Sequence, residues 1–61
     1  MYRYDVYVTI VIKGEIYQDL LIFKSFKEID EDDIRYDAIN RYYKKLSKCD
    51  SYTINIIRKF K

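Results

Sequence analysis

Histidine, proline and tryptophan are absent from this 61-residue chain, which holds one cysteine, Cys49, and one glycine, Gly14. Without histidine there is no imidazole base for a serine or cysteine nucleophile, and the usual zinc ligand sets cannot be assembled. A single cysteine forms no internal disulfide, and its place near a helix end, where carbonyl dipoles disfavour a thiolate, suits a small buried hydrophobe. One glycine leaves no material for a glycine-rich phosphate loop. The longest apolar run, Leu20 to Phe23, has four residues, far short of the roughly 18 that span a bilayer. Met1-Tyr2-Arg3-Tyr4-Asp5 lacks the pattern of an export signal, and a lone thiol fits a reducing interior, so a cytoplasmic location is expected.

What is present is a soluble balance: 49% hydrophobic and 36% charged residues, with a net charge of +2. That is the composition of a folded chain, and the length fits one domain over residues 1–61. A core this small is thinly stabilised, and association is the support left once disulfides and metal are set aside. Isoleucine, lysine, tyrosine and asparagine together make 28 of the 61 residues. All four have AT-rich codons. Short frames with this bias are frequent in phages and mobile elements of low-GC bacteria.

Residues 2–12, YRYDVYVTIVI, alternate with period two. Tyr2, Tyr4, Val6, Val8, Ile10 and Ile12 share one face, and Arg3, Asp5, Tyr7, Thr9 and Val11 share the other. Lys13-Gly14 marks a hairpin, and residues 15–24 read as a second strand. A two-residue turn would set Asp19 opposite Val8, on the face carrying the core. A three-residue loop with a bulge at Gly14 moves the pairing by one and aligns Ile16, Leu20 and Ile22 with the core instead, so the bulged loop is expected. Residues 30–47 read as one amphipathic helix. Asp30 is its N-cap, acids fill its first turn and bases its last, and Ile34, Ala38, Ile39, Tyr42 and Leu46 form its apolar arc, with Cys49 continuing it. Residues 51–60 alternate again, with Tyr52, Ile54, Ile56 and Phe60 on one face. The expected fold is α+β, in the order ββαβ: a three-stranded antiparallel sheet, strand order 2-1-3, with the helix on one face.

One helix leaves one side of the sheet open. With the bulged register that side holds Tyr7, Val11, Tyr17, Leu21, Phe23 and Ile57, an apolar set expected to be a protein interface. Homodimerisation or a host protein partner would cover it. The acids Glu28, Asp30, Glu31, Asp32 and Asp33 do not match a calcium loop, because Ile34 and Arg35 occupy its ligand and glycine positions, and no Glu-x-Lys nuclease element follows. They read as capping and solvation, with contact to a basic target as the functional alternative. No metal, cofactor or catalytic residue is expected.

Charge is segregated: residues 1–27 carry +1, residues 28–37 carry −5 and residues 38–61 carry +6. Arg41, Lys44, Lys45, Lys48, Arg58 and Lys59, with Lys61 beyond them, would make a phosphate-binding patch if the helix end and the last strand's end converge. The expected function is therefore a small non-enzymatic binding protein, encoded by a phage or mobile element and inhibiting a host protein such as a defence component or CRISPR effector. The alternative is a small dimeric nucleic-acid-binding module that uses the basic C-terminal half.

Overall fold

The structure, a computed structural model, describes residues 1–60, with side chains through Lys59, so the sequence expectations for the Phe60 side chain and for Lys61 lie outside the described residues. Strand β1 runs Tyr2–Ile12, β2 Glu15–Ser25, helix α1 Glu31–Arg41, helix α2 Tyr43–Leu46, and β3 Ser51–Phe60. The strands form one antiparallel sheet in the order β2-β1-β3 with the helices on one side, as the sequence pattern predicts. β1 is central because it is rich in β-branched and aromatic residues on both faces.

The hairpin register differs from the expectation. Ile12 pairs with Glu15, so the connection is the strict two-residue turn Lys13-Gly14. Both turn residues have positive φ, 51° at Lys13 and 79° at Gly14, the twist that a type I′ turn needs to match flanking strands. No bulge is inserted, and Val8 sits opposite Asp19. Every side chain of β2 therefore lies on the face opposite to the one expected. Leu21 pairs with Val6 and Phe23 with Tyr4 on the helix-covered side, where both pack against the core. Tyr17 pairs with Ile10 on that same side. Ile16, Gln18, Leu20, Ile22 and Lys24 take the open side.

The sequence argument against this register was the burial of Asp19, and the structure removes it in two ways. β2 is an edge strand, so Asp19 stays exposed. Its carboxylate is also partnered: the Tyr42 hydroxyl donates to Oδ2, and the Leu20 N–H donates to Oδ1 at 2.9 Å.

The core consists of Tyr4, Val6, Val8 and Ile10 from β1, Ile34 and Ala38 from α1, and Ile54 from β3. Ile39, Tyr42, Leu46 and Cys49 pack around it, as the helical arc predicts. Tyr4 is fully buried, and its hydroxyl accepts the Ile29 N–H at 2.8 Å, which ties the loop between β2 and α1 to the sheet. Asp30 caps α1, accepting the Asp32 N–H at 2.9 Å. The helical segment is interrupted once: Tyr42 leaves helical geometry at φ −107°, ψ 18°, separating α1 from α2. At that break its ring reaches the core rim and its hydroxyl reaches Asp19.

Candidate binding surface

The side of the sheet away from the helices is built in rows, because residues paired across an antiparallel sheet share a face. From one end, the rows are Lys24-Arg3-Lys59, Ile22-Asp5-Ile57, Leu20-Tyr7-Asn55, Gln18-Thr9-Thr53 and Ile16-Val11-Ser51. Tyr7, Leu20, Ile22, Ile57 and Ile16 are each between 43% and 69% exposed. Strands of 11, 11 and 10 residues, three abreast, give a face of about 500 Å². Six of its fifteen positions are apolar, and an exposed apolar grouping among polar residues is the usual mark of an interaction site.

The basic end of this face has internal structure. Asp5 is 3% exposed. Arg3 Nε lies 2.8 Å from its Oδ1, and Lys59 Nζ lies 3.3 Å from its Oδ2. The hydrogen bond from Arg3 holds the Asp5 carboxyl below its usual range; burial opposes that shift, and Lys59 reinforces it. Two cations thus hold one carboxylate, and with Lys24 beside Arg3 the row as a whole remains positive. Sequence reasoning missed the grouping, although Arg3 and Asp5 at i and i+2 on a strand must share a face.

Of the side chains expected on the open face, Tyr7, Val11 and Ile57 are there. Tyr17, Leu21 and Phe23 are not, for the register reason above. Phe23 instead lies under Arg41, whose guanidinium carbon is 5.3 Å from the ring centroid. The residues that take their place, Ile16, Leu20 and Ile22, were legible as an exposed set only from a two-residue turn.

The acidic residues divide by role. Asp30 is occupied as the cap, and Glu28 pairs with Arg58 at 3.1 Å. Glu31, Asp32 and Asp33 stand exposed in the first turn of α1. Among the described residues, no cluster of three or more acids or cysteines is placed to hold a metal ion.

The basic residues do not converge. Lys44, Lys45 and Lys48 follow α1 at the end where the Asp50 N–H donates to Val11 O at 2.7 Å. Arg58 and Lys59 pair with Tyr4 and Arg3 at the other end of β1, about 23 Å away along the strand. Arg41 is engaged with Asp37 at 3.2 Å and Arg58 with Glu28. The antiparallel order of β3 causes the division, since its C-terminus returns to the end where the helix starts.

No family model, curated protein or solved structure matches this chain.

Proposed function

We propose that this chain is a small non-enzymatic binding protein that acts through protein–protein contacts, with the open sheet face as its association surface. One observation carries the reading: five large apolar side chains, Tyr7, Ile16, Leu20, Ile22 and Ile57, stand exposed on a face that no element among the described residues covers. β propensity accounts for tyrosine and threonine on a solvated sheet. It does not account for leucine at position 20 beside two exposed isoleucines. Coding bias and size extend the proposal to an inhibitor of a host protein, encoded by a phage or mobile element and directed at a defence component such as a CRISPR effector. The exposed acids Glu31, Asp32 and Asp33 are the second contact, suited to a groove lined with arginine and lysine. The division of the basic residues between two ends weighs against the nucleic-acid alternative.

The test is retention of a host protein from a low-GC bacterial lysate by immobilised wild-type chain and by two variants. Ile22→Lys should abolish retention, and Asp32→Lys with Asp33→Lys should weaken it in a salt-sensitive manner. A partner held equally by wild type and Ile22→Lys would overturn the assignment of the open face. A salt-dependent gel shift with DNA would favour the alternative.

A further inference from the structure

We infer that the open face is covered by a second copy of this chain, the two sheets stacked antiparallel about a two-fold axis that crosses β1 at Tyr7. This rests on the reading of that face as an association surface, and it names the occupant.

The sheet edges are obstructed where another strand would add. In a two-residue hairpin that starts at the Ile12–Glu15 pair, Leu20 directs its N–H away from β1, toward the free edge. The Asp19 carboxylate accepts that N–H at 2.9 Å. On the opposite edge, Arg35 of α1 reaches over β3, and its Nη1 donates to Ile54 O at 3.0 Å. A charged side chain thus caps each edge near its middle, the device by which sheets resist lateral growth. With its edges capped, the sheet has the open face left for association.

Area and charge then choose the occupant and its orientation. Two faces of about 500 Å² bury about 1,000 Å² in contact, the threshold for a specific interface. Parallel stacking would lay the row Lys24-Arg3-Lys59 on its own copy, cation on cation. Antiparallel stacking lays that row over Ile16-Val11-Ser51, which carries no charge and whose Ile16 the lysine and arginine stems can cover. The Asp5 row then meets the hydroxyls of Thr9 and Thr53, and Tyr7 and Leu20 meet their own copies at the centre. Stacked sheets rotate by about 30°, so the correspondence holds row to row rather than atom to atom. Both helices face outward in this arrangement. The two acidic first turns at Glu31, Asp32 and Asp33 point to opposite ends, which makes the assembly bivalent toward a basic target.

The experiment is sedimentation equilibrium over a concentration series on wild type, Tyr7→Lys, Val11→Lys and Val11→Glu, with far-ultraviolet circular dichroism confirming that each is folded. Wild type should approach twice the monomer mass. Tyr7→Lys and Val11→Lys should raise the dissociation constant by about tenfold or more, the first at the axis and the second against the partner's basic row. Val11→Glu should keep the dimer, because it meets that same row with the opposite sign. Equal weakening by Val11→Lys and Val11→Glu would indicate parallel stacking and overturn the arrangement. A wild-type monomer at every concentration, or an assembly larger than a dimer, would overturn the proposal outright. A monomer whose Tyr7→Lys variant loses a host partner would leave the open face as an association surface and remove only the second copy as its occupant.

Discussion

The Tyr42 hydroxyl donates to the carboxylate of Asp19, a residue that stands directly opposite Val8 on the helix-covered face of the sheet. This one bond joins the break between the helices to the edge strand β2, 23 residues apart in sequence. It explains how an acid is tolerated beside the core. It also sets two limits on stability.

At alkaline pH the limiting group is Tyr42. Burial, and after it the bond to Asp19, pushes its pKa from 10.0 up to about 12. The fold favours the neutral phenol, so this contribution is complete below about pH 10 and is lost as pH rises through about 12. At acid pH the sign reverses. The Tyr42 hydroxyl, followed by the Leu20 N–H, holds Asp19 below its ordinary 3.8, so the contribution is present above that pH and is lost as pH falls further. Thermal melts across pH should show both declines. Tyr42→Phe should reduce the alkaline one, leaving the share of Tyr17, whose phenol its bond to Glu15 raises, and should reduce the acid one, leaving the share of Asp5, whose carboxyl is also depressed, chiefly by Arg3. A Tyr42→Phe profile parallel to wild type at high pH would mean that the phenol is not the source.

Leu20 and Leu21 are neighbours on opposite faces, and they should respond oppositely to the same substitution. Leu21→Glu places a carboxylate against the core beside Val6 and should cost about 2–4 kcal/mol in urea denaturation. Leu20→Glu lies on the open face and should change monomer stability by no more than about 0.5 kcal/mol. The reverse ranking would restore the bulged register.

Lys13 adopts φ 51°, a conformation that disfavours an L-residue with a long side chain. Lys13→Asn should stabilise the hairpin by about 0.5–1 kcal/mol, since asparagine followed by glycine suits a type I′ turn. At Gly14, φ is 79° and nothing lies within 4 Å of an added Cβ. Gly14→Ala should therefore destabilise by about 1 kcal/mol through backbone conformation alone. An increase in midpoint for Gly14→Ala would contradict the turn type.

Sequence by itself determined the elements except the break at Tyr42, where the single helix expected over 30–47 divides into α1 and α2. Period-two alternation marked all three strands, Asp30 marked the helix start, and Ile34, Ala38 and Leu46 marked the buried arc, because each of these depends on neighbours within a few residues. The short crossover back to β1 also left one economical strand order. Tertiary structure decided which face of β2 meets the helix. Ile16, Leu20 and Ile22 are as apolar as Tyr17, Leu21 and Phe23, so hydrophobic pattern alone could not separate the two faces. The polar members conflicted: Gln18 and Lys24 marked the open face correctly, whereas Asp19 pointed the wrong way because Tyr42, its partner, is distant in sequence and reaches it only when the chain is folded. The same holds for charge. Lys44, Lys45, Arg58 and Lys59 form one basic segment along the chain, but the return of β3 antiparallel to β1 places them at opposite ends. It sets Lys59 beside Arg3 and Asp5, residues from the other end of the sequence.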